Sequence, residues 1–379
     1  MHQAANIRVL HISGEIHWQG GERQLSYLLK MLRLRVHHEV ICAEGSKLAQ
    51  YCHDHDIPYH TYKRDFFYRF RLWNTIRKVA KGQIFNLFHC HDRRAHTAAW
   101  LSMTYQPLVV NRRASHKLKN NLWSRIKFSS RRLKCIVCPS HFVAEQVAAV
   151  MKKAGRIRVV YTSIEESQYE LHKRKNILRS ELNIDPDTTL IGTVGVVRKR
   201  KGHSVFVQAA ERLVAQGLPV HFAIIGEGPE LASVKELIKE KNLESHVSVM
   251  GFRSDLRSIY PDLDLFVLSS SSEGFSSVIL EAFANGIPVV ASAVGGVTEI
   301  VEEEVSGLLA QAGDPEDFAY QIKRLIEKPK LAEKMVANAK AILPKYETQR
   351  MANTYHRIYK EAAGTVVERV YTNSSKRAH

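Results

Sequence analysis

Asp264-Leu-Phe-Val-Leu268 runs into Ser269-Ser-Ser-Ser-Glu273-Gly-Phe-Ser-Ser-Val-Ile-Leu-Glu281-Ala-Phe-Ala-Asn-Gly286-Ile-Pro-Val-Val-Ala-Ser292. The apolar run reads as a short buried strand, the serines as a loop, and the apolar stretch after Ser276 as a helix ending near Asn285-Gly286. Pro288 forbids continuation of that helix, and Ile287-Pro-Val-Val-Ala starts the next strand. Glu273 then stands in a loop at a strand's carboxyl end, where open α/β sheets bind ligands. Glu281 lies inside the helix, between Leu280 and Ala282, and shares a helix face with Ser277. The amides of Gly274, Phe275, Ser276 and Ser277 fall at a helix N-terminus, which favours an anion. The bland alternative makes Glu273 a helix cap and Glu281 a solvated residue.

The chain has 379 residues, enough for two domains with separate cores. Its hydrophobic content of 45% fits a soluble globular protein, and its net charge of +17 implies an anionic partner: nucleic acid, an acidic membrane surface or a phosphorylated substrate. No segment approaches the roughly 20 apolar residues that span a bilayer. Ile7-Arg-Val-Leu-His-Ile12 reads as a strand, leaving no room for a signal-peptide core, and five cysteines suggest a reducing cytoplasm. Cys135 and Cys138 have ligand spacing without a second pair and read as strand core.

Strands and helices alternate along the whole chain, which predicts two doubly wound domains. Gly20-Gly21 precedes the amphipathic stretch from Glu22 and lets backbone approach a ligand at a helix start. Residues 63–81 mix aromatics with bases around a single acid, Asp65, and residues 112–134 carry bases, Trp123 and Phe128 with no acid. Both fit a segment lying on an anionic membrane, and equally a surface helix or a nucleic-acid stripe. His89, His91, Asp92 and His96 crowd one strand end, and metal binding is the disfavoured reading of them. Gly226-Glu-Gly228-Pro is a turn that carries little weight as a lone Gly-x-Gly. Beyond the organising stretch, Ala293-Val-Gly295-Gly296 reads as a turn before a helix. Asp314-Pro-Glu reads as an N-cap with proline at N1.

Two glutamates with seven residues between them, in this Ser-rich Gly-Phe setting, resemble the signature of retaining glycosyltransferases of family 4. The resemblance implies an α/β GT-B fold: two doubly wound Rossmann-like domains facing a cleft. It implies an acceptor domain over 1–164, a nucleotide-sugar domain over 165–345, a helix over 346–364 crossing back, and a tail over 365–379 expected to be flexible. Gly21 would face the donor; Lys201, with Arg198 standing in for the family arginine absent at Val196, would grip the diphosphate. Gly251 and Phe252 would hold the base. Glu281 would bind the ribose; Glu273 would bind the sugar and stabilise the developing cation. The histidine usual after the strand Leu108–Asn111 is missing, so Arg113, His91 or His116 fills its place.

The expected activity is metal-independent transfer of a hexose from a nucleotide diphosphate sugar, UDP-sugar foremost, to a lipid-linked or phosphorylated glycan of the cell envelope, such as lipopolysaccharide. No cofactor, no metal and no nucleic-acid partner are expected; location is the cytoplasmic membrane's inner face. A sugar-nucleotide 2-epimerase on the same fold, a glycan phosphorylase and a basic nucleic-acid-binding protein are the rival readings.

Overall fold

The computed structural model describes residues 7–113, 121–151, 154–165 and 175–374. The chain divides into unit 1, Met1–Ser163 with Thr348–His379, and unit 2, Ile164–Glu347.

Unit 1 runs β1 (Ile7–Ile12), α1 (Gly20–Leu32), β2 (Val36–Ala43), α2 (Lys47–Asp54), β3 (Tyr59–Tyr62), α3 (Tyr68–Gly82), β4 (Leu87–Cys90), α4 (Arg93–Leu101), β5 (Leu108–Asn111), α5 (Leu122–Ser129), β6 (Leu133–Cys138), α6 (His141–Ala148) and β7 (Ile157–Val159). The strands are short and apolar because helices cover both faces of a parallel sheet. Their order is β3-β2-β1-β4-β5-β6-β7, every pairing parallel. The order reverses between β1 and β4, so the carboxyl ends of these two strands flank a topological switch point.

Unit 2 runs α7 (Ile177–Glu181), β8 (Thr189–Val194), α8 (His203–Ala215), β9 (Val220–Ile225), α9 (Leu231–Glu240), β10 (Val247–Gly251), α10 (Leu256–Ile259), β11 (Leu265–Leu268), α11 (Ser277–Ala284), β12 (Val289–Ser292), β13 (Leu308–Ala310), α12 (Pro315–Glu327) and α13 (Pro329–Ile342). Its parallel sheet has the order β10-β9-β8-β11-β12-β13, with the reversal between β8 and β11. The chain enters and leaves this unit side by side, since Ile164 N–H donates to the Tyr346 carbonyl at 3.0 Å.

The last element, α14 (Thr348–Ser374), belongs to unit 1. It buries Met351, Tyr355, Ile358 and Tyr359 among Val9, Leu87 and Val109 of the sheet. Each such side chain stabilises unit 1 by about 1.5–3 kcal/mol.

Several elements differ from the sequence reading. Helix α1 begins at Gly20 rather than Glu22, with Gln19 and Glu22 forming its capping box. The turn at Gly295-Gly296 leads into a single 3₁₀ turn, Gly295–Val297, and not a helix. The chain is diverted there by a tight turn, in which the Ser306 hydroxyl accepts from Glu302 N–H at 2.9 Å and Glu304 is left-handed at φ 56°. Helix α13 is additional; Pro329 sits in its first turn, where proline is tolerated. Helix α14 runs through the stretch expected as a tail as far as Ser374, because Gly364 alone, with no proline after it, does not stop a helix. Cys135 and Cys138 are both buried, on opposite faces of β6, and join different core clusters, so they share no ligand. Among the described residues no helix is long and apolar enough to cross a membrane.

Candidate functional site

In unit 2 the residues singled out converge on the switch point between β8 and β11. Lys201 ends a 3₁₀ turn, Lys199–Lys201, in the loop after β8, and Glu273 stands in the loop after β11. Their side chains form an ion pair, Lys201 Nζ to Glu273 Oε1, at 2.5 Å, with exposures of 17% and 6%. The Ser270 hydroxyl donates to the same oxygen at 2.8 Å. Glu273 therefore does not cap α11. Its carboxylate is held by a cation and a hydroxyl, while its backbone carbonyl accepts from Gly296 N–H at 3.1 Å.

The two loops are stapled together. Ser269 Oγ donates to the Gly202 carbonyl at 2.9 Å, and Ser271 N–H to the Arg200 carbonyl at 2.8 Å. Gly202 is left-handed at φ +66°, and a Cβ there would lie 1.9 Å from the Ser269 carbonyl oxygen. Glycine is forced at this position twice over. The turn Gly226-Glu-Gly228-Pro has the same cause: a Cβ on Gly226 would meet the Gly195 carbonyl at 1.9 Å, and one on Gly228 the Val197 carbonyl at 2.2 Å. These glycines lock the β9 loop onto the β8 loop, a role that the bare Gly-x-Gly pattern does not announce.

Glu281 is buried in α11, 1% exposed, among Ile279, Leu280, Ala282 and Phe283. A carboxylate in such surroundings is costly unless something polar meets it. At the start of α11, Ser276 is the N-cap; its buried hydroxyl has no hydrogen-bond partner among the described residues. Gly274 is buried, Phe275 packs its ring 5.7 Å from that of Tyr346, and Ser277 opens the helix. Gly251, at φ +66°, ends β10 and accepts from Gly226 N–H at 2.8 Å, so it borders the β9 turn. Phe252 beside it is 61% exposed. Arg198 is exposed at the start of the Lys199–Lys201 turn. Val196, where the resemblance places an arginine, is exposed too, and Val197 between them is buried.

In unit 1, Gly21 and Arg113 come together: Arg113 Nη1 donates to the Gly20 carbonyl at 3.3 Å. A Cβ on Gly20 would meet nothing within 4 Å, and one on Gly21 only the Arg113 side chain at 4.0 Å. The fold does not demand glycine at either position; both leave open space at the start of α1. His116 lies outside the described residues.

His91 is buried and committed inward. Its Nε2 lies 3.0 Å from His11 Nδ1, its Nδ1 lies 3.3 Å from Asn111 Nδ2, and His11 Nε2 lies 2.9 Å from His38 Nδ1. Tyr355 Oη donates to Asn111 Oδ1 at 2.9 Å, so the Asn111 amide nitrogen is the donor to His91. That fixes His91 and His11 as neutral imidazoles protonated on Nε2, each passing a hydrogen bond to the next. Burial drives His11 and His91 well below the ordinary imidazole value. His89 is pushed down to about 3 and His38 to about 4 by the same cause.

The four residues read as a crowded strand end do not act together. Asp92 caps α4, accepting from Arg94 N–H at 2.7 Å and Ala95 N–H at 3.0 Å, and also binds Gly14 N–H. His96 faces Phe128. His11, absent from that sequence group, joins His89 and His91 instead, their ring nitrogens lying within 4.8 Å of one another. The signal for it lies in strand pairing: His11 and His89 are direct partners in the β1–β4 register.

Two parallel-sheet units, each with a switch point, and in the second a Lys–Glu pair in the loops ahead of a helix that buries a carboxylate, point to the class. The description Glycosyltransferase Family 4 matches residues 18–168, and Glycosyl transferases group 1 matches residues 174–342. The chain belongs to the family 4 glycosyltransferases and has the expected GT-B type of fold.

Among its relatives is the N-acetyl-alpha-D-glucosaminyl L-malate synthase of Bacillus anthracis, 26% identical over 241 residues, 63% of this chain and 62% of that protein. The lipopolysaccharide core biosynthesis glycosyltransferase LpsE of Rhizobium meliloti is 29% identical over 192 residues, 51% of this chain and 54% of that protein. The matches thus span less than two thirds of either relative. Among solved structures, HepE of Anabaena in complex with UDP and glucose has a TM-score of 0.83 and 20% identity, covering 94% of this chain and 100% of that one.

Proposed function

We propose that this chain transfers a hexose-type sugar, with retention and without a metal, from a UDP-sugar to a hydroxyl of a lipid-linked or phosphorylated cell-envelope glycan such as lipopolysaccharide. It works in the cytoplasm, at the inner face of the membrane. The observation that carries this reading is the Lys201–Glu273 pair at the β8–β11 switch point, with Glu281 buried in the helix that follows the Glu273 loop. The departing diphosphate gains negative charge as the sugar bond breaks, and a fixed cation lowers that barrier. Lys201 is such a cation, already desolvated and oriented. As it turns to the diphosphate, Glu273 is released toward the sugar, where its charge offsets the positive charge developing at the anomeric carbon.

Glu281 accepts hydrogen bonds from the ribose hydroxyls. Ser276, with a buried and unpaired hydroxyl at the N-terminus of α11, donates to a phosphate oxygen. Arg198 adds a second cation from the same loop, and Phe252 packs against the base. By the resemblance Gly21 faces the donor, and Arg113, which donates to the Gly20 carbonyl, takes the place of the family histidine that this chain lacks. His91 orients Asn111 and its neighbours and does not exchange a proton, since both of its nitrogens are engaged. The HepE complexes, with UDP and with UDP-glucose, make UDP the first donor base to try.

Calorimetric titration with UDP, GDP and ADP, chelator present, beside Glu281→Ala, tests the site. One diphosphate binding without metal, weakened at least about tenfold by the substitution, is expected. Absence of binding by all three overturns the donor site. Product anomer analysis by NMR with a matched donor tests retention, and donor turnover without acceptor would turn the reading to epimerase.

A further inference from the structure

Exposed large hydrophobic side chains are not scattered over this chain. Of the sixteen among the described residues, ten fall between Phe66 and Ile126. All of these but Ile84 come from the turn before α3 and its first residues, from the end of α4 and the turn after it, and from α5. Contacts join these elements into one face. The Phe70 and Trp73 rings lie 5.2 Å apart, Trp73 Nε1 donates to the Leu101 carbonyl at 3.0 Å, and Trp100 meets Trp123 edge-on at 6.4 Å. Phe66 is 93% exposed, Met103 87% and Trp123 70%. Isolated exposed apolar residues are ordinary, but a joined set of this size marks a binding surface.

Its charge says what binds. Between Phe66 and Lys134 the sequence has sixteen lysines and arginines and one acid, Asp92, whose carboxylate is used up capping α4. The cations sit among the rings: Arg64 lies 4.9 Å over Tyr68, and Arg77 4.9 Å over Trp73. Burial, with Arg93 and Arg112 crowding it, lowers Lys127 to about 8. An anion at this place relieves that repulsion.

We propose that the face formed by α3, α4 and α5 is a membrane-docking surface, seating unit 1 on an anionic bilayer with its aromatic and aliphatic tips in the headgroup layer. Basic helices with aromatic and aliphatic tips bind bilayer interfaces in this way. Nucleic acid is the weaker fit, because Leu101, Met103, Leu122 and Ile126 offer no flat surface for stacking on bases. The surface deepens the proposed reading, and rests on it for its purpose: it brings the enzyme to a membrane-borne acceptor.

The test is co-sedimentation of the full chain with vesicles of phosphatidylcholine, with and without one third phosphatidylglycerol. Two variants accompany it: Phe66→Ser/Phe70→Ser/Trp123→Ser, and Arg69→Glu/Lys78→Glu. These side chains are solvent-facing, so thermal melting is expected to stay unchanged. Binding is expected only with the anionic lipid, weakening in high salt, and each variant is expected to bind about tenfold more weakly. Equal binding to neutral vesicles, or variants that bind as the parent does, overturns the proposal. So does displacement of the protein from vesicles by a single-stranded oligonucleotide that the aromatic variant no longer binds. Affinity for UDP, GDP and ADP is measured on the same samples. Vesicle binding without binding of UDP, GDP or ADP defeats the donor reading and leaves the surface standing; the reverse defeats the surface alone.

Discussion

Unit 1 carries 34 lysines and arginines against 11 acids; unit 2 carries 21 against 27. The unit that holds Lys201 and the proposed diphosphate site is thus net acidic, and the whole positive excess belongs to the other. A diphosphate is met by one oriented cation and a helix N-terminus, which work at short range. Bulk charge is not needed for that. The excess on unit 1 suits a large, polyanionic surface, where many weak attractions add. Buried chemistry differs as well. Unit 1 is centred on neutral imidazoles under α14, and unit 2 on glycine turns packed backbone to backbone.

The largest expected effect separates the units by acid. His11, His38, His89, His91 and His96 are all held below the ordinary value of 6.5 by burial. The folded state therefore favours the neutral rings. Their contribution is complete above about pH 6.5 and is lost as pH falls toward the folded-state values, by up to about 1.4 kcal/mol per ring per pH unit. Unit 2 has fewer such rings, His203 at about 4 and His221 less shifted. Hydrogen exchange resolved by peptide should show unit 1 opening first between about pH 6.5 and 5. Unit 2 opening first breaks the comparison.

Next in size, Lys201→Ala is expected to lower turnover at saturating donor by about 100- to 1000-fold while leaving unit 1 untouched. Unchanged turnover removes Lys201 from the diphosphate. Gly202→Ala follows, with a loss of about 2–4 kcal/mol in thermal or denaturant unfolding, from the left-handed backbone and the clash with Ser269. Its counterpart in unit 1, Gly20→Ala, is expected to be neutral or stabilising by up to about 1 kcal/mol, because the Cβ enters open space. If both glycines cost the same, the contrast between a forced and an open glycine fails. The smallest effect is Asp314→Ala, about 1 kcal/mol in the same unfolding measurement, since its carboxylate caps α12 through Glu316 N–H at 2.9 Å and Asp317 N–H at 3.2 Å.

Much of the fold was legible because parallel strands, buried on both faces, are short apolar runs. Leu108–Asn111 could be bounded to the residue. What escaped depends on contacts remote in sequence. The His11–His91 hydrogen bond spans 80 residues, and no local pattern announces it. The tight turn at Glu302–Ser306 and the helix behind Pro329 turn on local competition between side-chain bonds and helix, which composition does not resolve. At the site, Glu273, Lys201 and Glu281 could be singled out by type and spacing. Their arrangement could not: the Lys201–Glu273 pair and the Ser269–Gly202 staple exist only once β8 and β11 lie side by side.

Helix α14 has one more consequence, for the order in which the molecule is made. Tyr355 and Tyr359, which cover Asn111 and His89 through bonds of 2.9 and 2.7 Å, are translated after all of unit 2. While the ribosome is still extending the chain, unit 2 already has every residue of its sheet, but the first-made half stands with its histidines uncovered. A nascent chain released before Thr348 therefore presents an unfinished first half beside a finished second, and it is the first half that a chaperone must shield.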